Sequence, residues 1–189
     1  NRGLKPHLLR TIVDFAELRC SEWMDTADPQ YSATAGQQLH MSFLNLYQLN
    51  DWVIKPATSA PFWVDAPDWT QTRAGKPPEG CSMVELLSTT TRPPTWFVTH
   101  WWGEPVADFL KCVMHHVEVR HLDPESVGYW VCAYSNRQHD LALEVPQNPK
   151  ETSFYLAMLL ANGILVILNG ESTTGADAVA FSRVWCQFE

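Results

Sequence analysis

The sequence feature that most constrains the fold is an alternation of short apolar runs with helical patterns in the second half of the chain. Three runs are continuously apolar and are typical of buried strands: TWFVTHW (95–101), GYWVCAY (128–134) and ILVILN (164–169). Apolar residues at helical spacing occupy the segments between and after them: PVADFLKCVMHHVEVRHL (105–122), ETSFYLAMLLAN (151–162) and FSRVWCQFE (181–189). Apolar strands joined by helices predict an α/β fold with a parallel sheet covered on both faces.

Proline and glycine positions set the expected helix ends. Pro105 is expected in the first turn of the first of these helices, and Gly163 at the C-terminal cap of the second. In the first half, helical spacing runs from Lys5 to about Met24. It returns from about Gln37 to Val53, and we expect Pro56 to end that helix.

A Pro- and Trp-rich segment separates the two halves. Residues 56–80 contain five prolines and two tryptophans with little periodicity, so they are predicted to wrap an adjacent surface. The short apolar run CSMVELL (81–87) is of uncertain type. We therefore divide the chain into three segments: a helical segment 1–55, a Pro/Trp-rich linker 56–91 and an α/β domain 92–189.

Composition excludes several classes of protein. The formal net charge is −8 and no basic run occurs, which argues against a nucleic-acid partner. The five cysteines are widely spaced without a CxxC pair, so a zinc ribbon is excluded and a reducing, intracellular compartment is favoured over a disulfide framework. The most apolar run, residues 154–168, is shorter than the ~20 residues that span a bilayer. The chain is predicted to be soluble or peripheral, and association with a membrane complex stays open.

The functional site is expected where the strands end. Ligands of open parallel sheets bind outside the carboxyl ends of the strands, and the segments there are THWWGE (99–104), YSNRQHD (134–140) and NGESTTGAD (169–177). The candidate binding residues on the first segment are His100, Trp101, Trp102, Gly103 and Glu104. The alternative is structural: one ring enters the core, the other covers the helix, and Glu104 only complements the helix dipole.

A metal site is not expected. Cys112, His115, His116 and His121 lie close in sequence, but helix geometry distributes them around the cylinder, whereas zinc needs three or four converging ligands. The loop NGESTTG lacks the lysine of a P-loop.

The second half resembles a TIR (Toll/interleukin-1 receptor type) domain. FVTHWWGEPV (97–106) is similar to the opening strand and loop of that family, of which FLSFRGED is an example. ILVILN leads to Ser182 and then to RVWCQFE (183–189), which resembles the family's serine and WC..E motif. The resemblance covers residues 92–189, and the motifs HWWGEPV, YWVCAY and RVWCQFE together also resemble uncharacterised algal and protist proteins.

The resemblance implies a flavodoxin-like sheet and two kinds of function. Some TIR domains cleave NAD with the glutamate of the WC..E motif, which falls on Glu189 here. A carboxylate there can stabilise the oxocarbenium-like charge of glycosidic cleavage. Trp101 or Trp102 would stack on a ring of NAD and Ser182 would orient the ribose. Other TIR domains act in signalling by self-association.

Two departures from the family pattern bear on the enzymatic interpretation. The sequence stops at Glu189, so the sheet is expected to be incomplete at the C-terminus, either because a longer protein continues or because the N-terminal half completes the sheet. SNRQHDLALEVPQNP (135–149) also replaces the family's acidic and glycine-containing loop.

Three functions therefore remain open. The first is a TIR-like interaction or regulatory module, a subunit of a larger assembly with protein partners or self-association. The second is an NAD-cleaving enzyme in which NAD is a substrate and no cofactor is needed. The third is a non-catalytic binder of a nucleotide or small molecule.

Overall fold

The chain forms a small parallel sheet between helices, with the N-terminal residues packed against it. This computed structural model describes residues 2–59, 80–88, 90 and 92–168. The predicted third helix, Ser182, Glu189 and most of the Pro/Trp-rich segment lie outside the described residues.

Among the described residues, the sheet has three parallel strands in the order β2-β1-β3. They are β1 (Trp96–Thr99), β2 (Tyr129–Trp130) and β3 (Gly163–Val166). Trp96 lies beside Tyr129 in one neighbour and beside Gly163 in the other. The predicted α/β class with a parallel sheet is confirmed.

The second strand is much shorter than the predicted run 128–134. The chain turns after Val131 into the short helix α6 (Cys132–Ser135). Local side chains satisfy the backbone there, because the Ser135 hydroxyl accepts from the Val131 N–H and the Gln138 amide donates to the carbonyls of Cys132 and Ala133. The prediction from apolar content alone therefore overestimated the length of this strand.

Two helices cover opposite faces of the sheet. Helix α5 (Val106–Val119) begins directly after Pro105, and its buried side chains share a core with Val98 of β1. Helix α8 (Ser153–Leu160) covers the other face, where Phe97 stacks on Trp130 with ring centroids 4.9 Å apart. The two faces of β1 thus bury alternate residues against different helices.

Gly163 begins β3. The prediction that it caps the preceding helix is wrong. Helix α8 ends earlier, at Leu160, and Ala161 is its C-cap. A Cβ on Gly163 would lie 2.7 Å from the ring of Trp96 on the adjacent strand. The glycine is needed for close approach of the Trp96 ring.

The first predicted helix is present, and the second begins later than predicted. Helix α1 (Pro6–Arg19) is followed by a 3-10 turn, Cys20–Glu22. Residues 37–45 are not helical. The Leu39 N–H instead donates to the Trp23 carbonyl. Asn45 then caps the next helix, because its side chain accepts from backbone N–H groups of that helix and its own N–H donates to the Gln48 side chain.

From Asn45 onward the chain stays helical through Pro56. The elements are α2 (Leu46–Leu49), a π-helical stretch (Asn50–Ile54) and α3 (Lys55–Thr58). Pro56 lies inside this continuous helical stretch, directly after the π-helical residues, so the prediction that it ends the helix is wrong. The remaining short helices of the described residues are α4 (Met83–Leu87) and α7 (Leu141–Glu144), and Pro149–Glu151 forms a 3-10 turn. The run CSMVELL, of uncertain type in the sequence, thus contains a helix.

The N-terminal half and the sheet share one core. Leu4 exchanges both backbone hydrogen bonds with Tyr129, and α1 packs against α5. Buried residues of α1, α2, α4, β1 and α5 belong to the same cluster. The bounds 1–55, 56–91 and 92–189 as separate domains stay a prediction. Within the part of the chain that the structure describes, no helix is long and apolar enough to cross a membrane.

Candidate functional site at the carboxyl ends of the strands

The loop that follows β1 is held from both sides by the N-terminal half. The Leu46 N–H donates to the Trp102 carbonyl at 2.9 Å, and the Val106 N–H donates to the Leu44 carbonyl at 2.8 Å. Asn45 and Pro105 form a bridge between these bonds. The segment 100–105 is therefore part of the folded framework.

His100 lies beneath this loop in the core. Its side chain is 6% exposed, and its ring centroid lies 4.5 Å from that of Phe109 on α5. Burial lowers the pKa of His100 to about 4, against the opposing effect of the Trp101 backbone. The imidazole is therefore neutral at pH 7.

The two tryptophans contact the protein's own chain. The Trp101 ring lies against Gly103, where an added Cβ would overlap it. The Trp102 ring centroid lies 5.4 Å from that of Tyr47, and its Nε1–H donates to the Cys132 Sγ at 3.1 Å. Trp102 thereby links the end of β1 to α2 and to the end of β2.

Glu104 is the titratable carboxyl of this loop. It is 5% exposed, and burial raises its pKa to about 7, with a further contribution from the nearby Asp108 carboxylate. Burial also raises the pKa of the Cys112 thiol, and the nearby carboxylates of Glu104 and Asp108 raise it further. A carboxyl with this pKa can both donate and accept a proton at neutral pH.

Several buried polar atoms lie at the same edge of the sheet. Thr99 is the last residue of β1, and Tyr134 and Asn136 follow β2 in the chain. The Thr99 Oγ1, Tyr134 hydroxyl and Asn136 Oδ1 atoms have no hydrogen-bond partner among the described residues. Burial strongly raises the pKa of Tyr134, so its hydroxyl keeps its proton. Because buried polar groups are usually satisfied, these atoms add hydrogen-bonding capacity to this edge.

The structure thus brings five of the seven predicted site residues together and leaves two aside. His100, Trp101, Trp102, Gly103 and Glu104 form the loop between β1 and α5. Ser182 and Glu189 lie outside the described residues, so their distance from this loop stays a prediction.

The histidines of α5 do not converge. His116 Nδ1 lies 2.8 Å from the Tyr129 hydroxyl, and its ring packs edge-on against Trp96. Across residues 2–59, 80–88, 90 and 92–168, no group of three or more His, Cys, Asp or Glu side chains is placed to hold a metal ion.

Sequence reasoning missed an ionic network that joins distant segments. Arg2 Nη1 lies 2.6 Å from Glu144 Oε1, and Arg2 Nε lies 3.2 Å from Glu85 Oε1. Arg137 Nη2 approaches the same Glu85 oxygen at 3.3 Å. No local pattern could reveal this network because its members come from the N-terminus, α4, α7 and the segment after α6.

Sequence reasoning also missed an exposed apolar surface, which we call the α8–β3 surface. Its six residues are between 42% and 65% exposed: Leu156, Leu159, Leu160, Ile164, Val166 and Leu168. The signal was present, since residues 153–168 contain no charged side chain. A helix with apolar residues on all sides is normally covered on all sides.

A groove lies beside this surface. It has a volume of about 370 Å³, and its lining joins α8 to the ionic network of Arg2, Glu85 and Glu144.

No family model matches this chain, and neither the curated proteins nor the solved structures give a match.

Proposed function

We propose that this chain is a TIR-like protein-interaction module and that the α8–β3 surface is its interface. The observation that carries the proposal is the exposure of five aliphatic side chains on α8 and β3, with a sixth, Leu168, just beyond the strand. Large contiguous apolar patches on folded proteins usually mark sites of association.

The position of this surface in the sheet supports an interface. In β3, exposure alternates with sequence, so Ile164 and Val166 are exposed while Leu165 packs against the core. Ile164 is paired with Phe97, whose ring faces α8, so the exposed residues of β3 lie on the same face of the sheet as α8. Helix and strand therefore expose apolar side chains on the same face of the sheet.

The strand order supports the TIR-like assignment. Flavodoxin-like sheets begin with the order 2-1-3, which is the order of β2, β1 and β3 here. The carboxyl edge supports an interaction role over a stacking role, because Trp102 is already engaged with Tyr47 and Cys132.

Site-specific crosslinking tests the proposed interface. A photo-reactive amino acid would replace Leu159 in the full chain, and the matched control would carry it at Leu18, an exposed leucine of α1. We expect a discrete crosslinked partner from Leu159 only. The complex should re-form from purified components and be lost with Leu159→Lys but retained with Leu18→Lys. Equal crosslinking from both positions, or none, would contradict the proposal.

NAD cleavage is a second candidate, favoured by the proton-transfer capacity of Glu104 at the carboxyl edge. Nicotinamide release from NAD by the full chain would be compared with release by Glu189→Gln and Glu104→Gln. Turnover that disappears with Glu189→Gln would establish the enzyme. A separate decrease in turnover with Glu104→Gln would give this carboxyl a part in the reaction. Binding of NAD without turnover by the unmodified chain would favour a non-catalytic binder.

A further inference from the structure

We infer that the groove beside α8 binds a short amphipathic helix that carries a Lys or Arg next to its apolar side chains. This inference rests on the proposed function, because the groove shares Leu156 and Leu160 with the α8–β3 surface. It adds the chemical nature of the partner.

The apolar part of the groove suits a helix. Leu156 and Leu160 are one turn apart on α8 and form one wall, and Leu143, 68% exposed, contributes to the lining from α7. Ala157 and Trp130 also line the groove. Rows of side chains at i and i+4 pack into the grooves of a second helix, and α8 is about 12 Å long, the length of two helical turns.

The polar part of the groove selects a cation. Glu85, Glu144 and Glu151 line it together with one cation, Arg2. Arg2 contacts Glu85 and Glu144, whereas Glu151 is exposed on the turn that precedes α8. The formal charge of these four lining residues is −2, and Arg137, which pairs with Glu85, reduces the charge of the cluster to −1. Glu151 supplies the excess negative charge, so a partner that places a Lys or Arg near the start of α8 gains an attraction that an acidic partner lacks.

The same charges disfavour a second copy of this chain as the occupant. Each copy has a formal net charge of −8. Two such charges repel as the copies approach, and the uncharged run 153–168 of a second copy supplies no Lys or Arg for the acidic groove.

Selection from a random peptide library tests the inference while the partner is unidentified. The probe is a displayed library of peptides about 14 residues long, roughly four helical turns, selected on the immobilised full chain. We expect enrichment of peptides with Leu, Ile, Met or Phe at helical spacing and a Lys or Arg beside them. Synthetic copies should bind Leu156→Lys about tenfold more weakly, because the lysine ammonium would be desolvated in the contact.

A charge reversal separates this inference from the general interface. With Glu151→Lys, the selected basic peptides should bind several-fold more weakly at low salt, and the difference should shrink at high salt. A repeated selection on that variant should lose its preference for Lys and Arg. The controls are Glu17→Lys and Leu18→Lys on α1, which should leave peptide binding unchanged, and circular dichroism would verify that every variant folds.

Each remaining outcome has one meaning. Peptides that depend on Leu156 but show no basic preference and no effect of Glu151→Lys would overturn the inference and leave the proposed interface standing. Peptides unaffected by Leu156→Lys and Leu159→Lys, or no enriched peptide, would count against both. Sedimentation of the full chain as a dimer that Leu156→Lys dissociates would make a second copy the occupant and overturn the inference.

Discussion

At the scale of single residues, burial decides what the polar groups of the β1–α5 loop can do. His100 becomes a neutral core side chain and Glu104 becomes a carboxyl that titrates near neutral pH. The sequence predicted both as rim residues from their position after a strand. It could not predict their burial, which depends on α5 and on the distant segment 44–46.

Glu104 should make stability depend on pH. Its pKa of about 7 in the folded protein lies above the ordinary 4.5. Its contribution to the free energy of unfolding is therefore fully present below pH 4.5 and is lost as pH rises through 7. Glu104→Gln should therefore stabilise the protein at pH 8 by about 1–2 kcal/mol, less than the full shift would give because the buried Gln amide is itself desolvated, and have little effect at pH 4.5. Urea unfolding at both pH values measures this. An equal effect at both pH values would contradict it, and Glu17→Gln is the exposed control.

Gly103 should tolerate no side chain while Trp101 keeps its position. Gly103→Ala would place a Cβ in overlap with the Trp101 ring, which must then move out of contact. We expect a loss of about 1–3 kcal/mol in the free energy of unfolding, together with a change in Trp fluorescence. Gly36→Ala is not a suitable control because the φ of Gly36 is positive. Ala33→Ser is suitable, because Ala33 is an exposed residue of the turn 33–36. An unchanged unfolding free energy would show that the ring is free to move.

At the scale of elements, long periodic patterns were predictable and element ends were not. The spacing of apolar residues predicted the bounds of α1 and α5 to within a few residues, because each helix buries one continuous apolar face. The ends followed local polar bonds instead: Asn45 starts α2, and Ser135 with Gln138 turns the chain after β2. Such bonds need side chains whose partners are fixed only in the folded chain.

The Asn45 cap should matter beyond its own helix. Its Oδ1 accepts from the Tyr47 and Gln48 N–H groups, and its neighbours Leu44 and Leu46 hold the β1–α5 loop. Asn45→Ala should lower the free energy of unfolding by about 1–2 kcal/mol, and Asn45→Asp should restore most of it. Hydrogen exchange should also show earlier opening of the Val106 amide, which donates to Leu44. Unchanged exchange at Val106 would confine the cap to α2.

At the scale of the whole molecule, contacts between distant segments explain why the site was only partly predictable. Trp102 contacts Tyr47 and Cys132, and Arg2 pairs with Glu85 and Glu144. These residues are far apart in the sequence, so no local pattern predicts their contacts. The uncharged run 153–168 predicted an apolar element but not which of its faces the rest of the chain leaves exposed.

The Arg2–Glu144 pair should couple the N-terminus to α7 far more strongly than a surface ion pair would. Glu144 is 9% exposed, Arg2 Nη1 lies 2.6 Å from its Oε1, and the same Nη1 donates to the Ser135 carbonyl. A double-mutant cycle of Arg2→Ala and Glu144→Ala should therefore give a coupling of about 1–3 kcal/mol in the free energy of unfolding. The matched control is the exposed pair Arg19–Glu22, whose Nη2–Oε2 distance of 2.7 Å is nearly as short but whose coupling should stay below about 1 kcal/mol. Equal couplings in the two cycles would mean that burial adds nothing, and that the N-terminal residues are held by Leu4 and its backbone bonds to Tyr129 instead.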